Sequence, residues 1–233
     1  MDKKIIAIGG GEIKNKTTLK IDEYVSNLAK AHAGEKRAVG LFIGTASHDS
    51  MPYFNSFRKT YTSNFDLKAE VALVVYGEMD MQKIQSKIDM ADVIYIGGGN
   101  TKFMLEKWKE CGLTEMIINA YNQGKIICGL SAGAICWFTD MFTDYAIMSG
   151  ESNEYTHMEG LGIIGGMMCP HFNERESELE IYLNKNGYDG DIFGVENNCA
   201  IEFTNGVLDK VISAGGKAYK MVKKDNTFVK EEL

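Results

Sequence analysis

Among the side chains able to bond covalently to a substrate, Ser131 has the most informative neighbours. Ile126-Ile127-Cys128 runs into Gly129-Leu130-Ser131-Ala132-Gly133 and then into Ala134-Ile135. An apolar strand, a G-x-S-x-G turn and small helix-forming residues are the setting of a nucleophile elbow. The two glycines have a steric reason to be there, because so sharp a turn presses backbone against backbone where a Cβ would clash. The turn should expose the hydroxyl at the carboxyl edge of a parallel sheet, where ligands bind in open α/β folds.

A serine hydroxyl needs a base beside it to act as a nucleophile at neutral pH, and that base is normally histidine. The chain has four. His171 follows a strand directly in Met168-Cys169-Pro170-His171-Phe172, with Pro170 stiffening its backbone, and is the expected base. His48, on a loop after the second strand, is the second choice. His32 sits near a helix C-terminus, where a solvated or dipole-pairing role is expected, and His157 lies in an irregular segment. A carboxylate should fix the tautomer of the base. Glu196, at the end of the next strand, is the first candidate and Asp144 its competitor.

Two further glycine-rich turns follow strands. Gly97-Gly98-Gly99-Asn100-Thr101 leads into a helix, and its amides could meet developing negative charge; as a purely structural turn it would be capped by Asn100 or Thr101. Gly9-Gly10-Gly11-Glu12 fails the dinucleotide fingerprint, because Lys14 stands where the third glycine should be. No phosphate-binding loop motif is present in the sequence, and no cofactor is expected.

These turns need strands and helices to hold them. Short apolar runs alternate with amphipathic stretches, the rhythm of βα units around a mainly parallel sheet. Strands are predicted over 4–8, 38–43, 70–75, 93–96 and 125–128, and covering helices over 18–33, 53–64, 81–90, 102–109 and 114–123. Residues 139–159 read as loop or short strands, 160–169 as a strand-like run and 174–185 as another helix. From Ile192 onward, Asn-Gly and Gly-Gly turns punctuate apolar runs and predict antiparallel strands.

Composition narrows the function classes. At 233 residues, with no linker-like stretch, the chain is expected to be a single domain spanning 1–233. A formal net charge of −7 without a basic cluster argues against nucleic acid or an anionic membrane as partner. No apolar run approaches the roughly 20 residues that cross a bilayer. Five cysteines without a C-x-x-C pair suit reduced packing residues in a cytoplasmic protein, and no metal site is expected.

The motifs Gly97-Gly98-Gly99-Asn100-Thr101, Gly129-Leu130-Ser131-Ala132-Gly133-Ala134, Pro170-His171-Phe172 and Gly194-Val195-Glu196-Asn197 together resemble those of the peptidase E group, the S51 family of serine peptidases. They stand in the family's order from about residue 90 to 205. The resemblance implies a fold like class I glutamine amidotransferases, with serine in place of their cysteine. That is an α/β flavodoxin-like three-layer sandwich with a mainly parallel central sheet and antiparallel C-terminal strands. It implies Ser131 as nucleophile, His171 as base, Glu196 as acid, with Asp144 still in competition, and an oxyanion hole from the amides of Gly98, Gly99 and Ala132. The order Ser, His, acid differs from that of α/β-hydrolases.

The implied activity is hydrolysis of short peptides, with a dipeptidase preferring N-terminal aspartate as one form of it. Arg175 would then bind the aspartate carboxylate, or else be a surface charge paired with Glu178. The alternatives are a family member acting on other dipeptides or cyanophycin-like isopeptides, and a non-catalytic small-molecule binder on the same fold. The expected partner is a short peptide, bound by a monomer or homodimer.

Overall fold

A computed structural model describes residues 2–76, 79–224 and 227–233. The chain runs β1 (Lys4–Ile8), α1 (Leu19–Ala33), β2 (Val39–Ile43), α2 (Met51–Phe65), β3 (Lys68–Ala72), α3 (Met81–Met90), β4 (Val93–Ile96), α4 (Thr101–Cys111), α5 (Leu113–Asn122), β5 (Ile126–Leu130) and α6 (Ala132–Ile135). It continues through β6 (Phe138–Thr143), α7 (Tyr145–Met148), β7 (Thr156–Glu159), β8 (Ile164–Pro170), α8 (Phe172–Asn186), β9 (Ile192–Val195), β10 (Cys199–Thr204), β11 (Val207–Ser213), β12 (Ala218–Lys224) and β13 (Thr227–Glu232).

The first sheet has seven strands in the order β11-β10-β1-β5-β4-β2-β3. Strands β1, β5, β4, β2 and β3 are mutually parallel, and beyond β1 the sheet is extended by antiparallel pairing of β10 with β1 and of β11 with β10. Strands β4 and β5 are buried along their whole length, which is why they are apolar without alternation. One face packs on α1 and α2, whose buried residues Ile21, Val25 and Ala29, and Phe54, Phe57 and Tyr61, recur at helical spacing. The other face packs on α3, α4, α5 and α6 and on residues of a second sheet.

That second sheet has six strands in the order β13-β12-β9-β8-β6-β7. Strands β6, β8 and β9 are parallel; β7, β12 and β13 are antiparallel. Helix α8 covers its outer face through Phe172, Leu179 and Leu183. The expected α/β fold and antiparallel C-terminal strands are present. The irregular stretch after the elbow proves to be built around β6, α7 and β7, and β6 opens the second sheet beside the central one.

Two registers matter for the site. Ile8 and Ile96, the last residues of β1 and β4, pair with Leu130 and Gly129 of β5. The glycine turns after β1, β4 and β5 therefore emerge side by side. In the second sheet Pro170 pairs with Val195, so the segments carrying His171 and Glu196 also leave together.

Candidate active site

The elbow is stereochemically tight. Ser131 has φ of 52° and ψ of −110°, a conformation that L residues rarely adopt. A Cβ on Gly129 would lie 1.9 Å from the Gly133 carbonyl oxygen, and one on Gly133 would lie 2.3 Å from that of Ile96. The glycine spacing is thus a requirement of backbone contact. The Ser131 amide donates to the Ile8 carbonyl at 2.9 Å, tying the elbow to the neighbouring strand.

The structure brings Ser131 and His171 together from different sheets. Ser131 Oγ lies 2.9 Å from His171 Nε2. His171 is itself in a left-handed conformation, φ 51°, and its amide donates to the Gly9 carbonyl at 2.9 Å. The turn that failed as a nucleotide motif therefore backs the histidine. A Cβ on Gly10 would fall 2.0 Å from Asn197 Oδ1 and 2.4 Å from His171 Nδ1, so this turn must be bare.

The other ring nitrogen, Nδ1, meets Asn197 Oδ1 at 2.6 Å. Neither expected acid is there. Glu196 Oε2 accepts from the Lys217 amide at 2.8 Å, and Asp144 Oδ2 accepts from Arg175 Nη2 at 2.7 Å. The strand ends at Val195, and it is Asn197, in the turn that follows, whose side chain reaches the ring. Asn197 Nδ2 in turn donates to Glu174 Oε1 at 2.5 Å. A carboxylate can only accept, so it turns the amide nitrogen towards itself and the amide oxygen towards His171. The ring then carries its proton on Nδ1 and leaves Nε2 free to accept from the serine hydroxyl.

Arg175 is 7% exposed, held between Asp144 and the ring of Tyr155, whose centroid lies 5.1 Å away. It is neither a surface partner of Glu178 nor a wall of the cavity beside Ser131. Its charge still acts on the site. Burial, and next the Arg175 guanidinium, hold the His171 imidazole below its ordinary 6.5, while the Asn197 hydrogen bond works against them. As pH falls, the unfolded chain takes a proton near 6.5 and the folded chain only lower, so stability is lost across that window. The acid limb of a kcat/KM profile should accordingly lie below 6.5. Removing the pair together, Arg175→Gln with Asp144→Asn, should move that limb upward, because the lowering by Arg175 outweighs the raising by Asp144; an unmoved limb would show that the pair has no net effect on the ring.

The remaining histidines are elsewhere. His48 is exposed and packs on Phe103, His32 pairs with Asp92 at 2.8 Å, and His157 with Asp140 at 2.5 Å. The Gly97–Gly99 turn lies against the elbow, with a Cβ on Gly98 falling 3.3 Å from that of Ser131. Gly99, at φ 141°, is pressed against the Ala46 carbonyl, and Asn100 caps α4 through Phe103 N at 3.0 Å. The Gly98 amide donates to the Tyr53 hydroxyl at 3.4 Å. A cavity of about 490 Å³ opens above these groups, lined by Ser131, His171, Gly98, Gly99, Tyr53 and the segment Gly11–Lys14 among others.

Asn197, Glu174 and Gly10 are the site residues that sequence reasoning missed. Three consecutive glycines after β1 were a readable sign of close backbone approach. Among the described residues no cluster of three or more His, Cys, Asp or Glu side chains could hold a metal ion, and no helix is long and apolar enough to cross a membrane. All five cysteines are unpaired, four of them buried.

Known proteins resemble the chain at both levels. The uncharacterized peptidase YgaJ of Bacillus subtilis is 32% identical over 225 residues, covering 94% of this chain and 92% of its own. Peptidase E of Haemophilus influenzae is 29% identical over 174 residues, 71% of this chain and 76% of that one. The crystal structure of a peptidase from an acI-B1 actinobacterium superposes with a TM-score of 0.75 at 18% identity, covering 100% of this chain and 94% of the other. A putative peptidase E protein from Listeria monocytogenes gives 0.63 at 20%, covering 91% and 98%. These two show that the fold is shared. The sequence profile of peptidase family S51 matches residues 5–211, nearly the whole chain, and the protein belongs to that family of peptidases.

Proposed function

We propose that the protein hydrolyses amide bonds of short peptides by acyl transfer through Ser131, with His171 as base and Asn197 in the orienting position expected of Glu196. The observation that carries this reading is the 2.9 Å approach of Ser131 Oγ to His171 Nε2 on a strained elbow facing a cavity. In the first half-reaction the hydroxyl proton passes to Nε2 as Oγ bonds to the substrate carbonyl carbon. The oxyanion so formed is assigned to the amides of Gly98, Gly99 and Ala132. As the C–N bond breaks, the imidazolium returns its proton to the leaving amine, and a water activated by the same nitrogen then hydrolyses the ester.

Several features support the assignment. Tyr53, raised by burial to about 12, stays protonated, so its hydroxyl holds the Gly98 amide only by an ordinary hydrogen bond that a substrate oxygen can replace. Losing one oxyanion donor typically costs about 2.7 to 4 kcal/mol, so these amides carry much of the rate. A preference for N-terminal aspartate does not gain from Arg175, whose guanidinium is committed to Asp144.

The test is Ser131→Ala, which removes the nucleophile without adding bulk. It should stop peptide hydrolysis and labelling by a fluorophosphonate while leaving the thermal midpoint within a few degrees of the native chain's. Undiminished hydrolysis by this variant would refute the mechanism, and native protein inert to the probe would favour a binding role.

A further inference from the structure

Lys14, Lys16 and Lys59 line a hollow of about 130 Å³ beside the catalytic cavity, completed by the polar residues Ser56, Thr60, Ser63 and Asn64. Lys14 and Ser56 belong to both hollows, so one surface runs from the nucleophile to the lysines. Three lysines line this one hollow in a chain whose formal net charge is −7. Like charges repel one another, and among the described residues no carboxylate forms an ion pair with any of them.

The placement is fixed by structure. Ile13 is 2% exposed and anchors the loop between β1 and α1. The loop is closed by Lys16 N to Ile13 O at 3.0 Å and by Thr17 N to Glu12 O at 3.1 Å. Lys16 takes a left-handed conformation, φ 60°, within it. Lys59 stands on α2, across the hollow, on the helix that also supplies Tyr53 and Ser56. The loop and the helix thus place the three lysines around a hollow that adjoins the cavity, with Lys14 lining both.

We propose that this lysine-lined hollow binds a carboxylate of the substrate, several bonds away from the amide that Ser131 attacks; the inference rests on the acyl-transfer reading of the site. A carboxylate on a short peptide comes from its C-terminus or from an acidic side chain. Both offer the same anion to ammonium groups, which act as point charges without the directional demand of a guanidinium. Such a contact would make the enzyme select short peptides that carry a free carboxylate.

Binding can be separated from turnover. Ser131→Ala protein would be titrated calorimetrically with Leu-Leu, Leu-Leu carboxamide, Asp-Leu carboxamide and Leu-Asp carboxamide at low salt. At least one carboxylate-bearing peptide should bind about tenfold more tightly than Leu-Leu carboxamide, with the advantage shrinking as salt is added. The pattern across the four tells a C-terminal carboxylate from a side-chain one. Adding Lys14→Gln and Lys59→Gln should reduce the advantage below about threefold. Equal affinities, no measurable binding of any of the four, or an advantage that survives the lysine changes would overturn the proposal. Failure of acyl transfer would instead appear as native protein inert to a fluorophosphonate, whatever these titrations give.

Discussion

Gly129→Ala should yield a protein with no measurable hydrolysis and a lowered melting temperature. The added methyl would stand 1.9 Å from the Gly133 carbonyl oxygen and 2.9 Å from the Ala134 amide nitrogen, both backbone atoms with no side-chain freedom to retreat. Relief requires opening the elbow. Overpacking of this kind costs about 1 to 3 kcal/mol, and opening the turn also misplaces Ser131 Oγ and the Ala132 amide. Turnover should therefore fall by about 10³-fold or more, since nucleophile alignment and an oxyanion donor are lost together. Gly165→Ala is the control, because a Cβ there meets nothing within 4 Å; its stability should stay within about 0.5 kcal/mol. Thermal melts and fluorophosphonate labelling of both variants would check this. A Gly129→Ala protein that labels at the native rate would show that the elbow does not depend on this contact.

The second large effect is expected at Asn197. With alanine there, nothing holds the proton on Nδ1, and the ring can adopt the tautomer whose Nε2–H cannot accept from serine. A wrong tautomer in a related triad costs about 10⁴-fold. An uncharged asparagine gives up only its orienting share, so kcat should drop by about 10²-fold or more in Asn197→Ala. Glu196→Gln should change kcat by less than about threefold, because Glu196 meets the Lys217 amide and not the ring. Exchanging the pair's chemistry, Asn197→Asp with Glu174→Gln, should keep the protein active. It should also move the acid limb of kcat/KM to higher pH, since a carboxylate on Nδ1 favours the imidazolium. If Glu196→Gln proved the crippled variant, the acid first expected from the sequence would be restored.

These two positions also show what could be read before the fold was known. The elbow was legible because its glycines answer a local steric demand, spelled out within five residues. Elements with strong periodicity were equally clear: α3 begins at Met81 and ends at Met90, and β4 runs from Val93 to Ile96, as predicted. His171 was found because a proline stiffens the end of a strand directly before it. Asn197 was hidden by a matter of side. Its neighbour Glu196 has the chemistry a triad is expected to use, and only the true direction of each side chain as the chain leaves β9 separates them. The Gly9–Gly11 turn was discounted as a nucleotide motif, because nothing local reveals that β1 lies beside β5. The second sheet was unread for a similar reason: β6 and β8 pair across a segment whose composition suggests loop.

The pairing of β1 with β10 has a consequence in time. Lys4 to Ile8 bond on one side to β5 and on the other to residues 200–204, almost the full length of the chain away. On the ribosome the first strand therefore waits with one edge open while about 200 residues are made, a long-range closure of the kind that slows folding. His171 and Asn197 dock on the turn that β1 leads into. The proposed nucleophile is thus synthesised well before the groups that would activate it, and a nascent chain released early would carry Ser131 without His171 and Asn197 beside it. Synthesis of β10, through Thr204, is the step that would complete the proposed site.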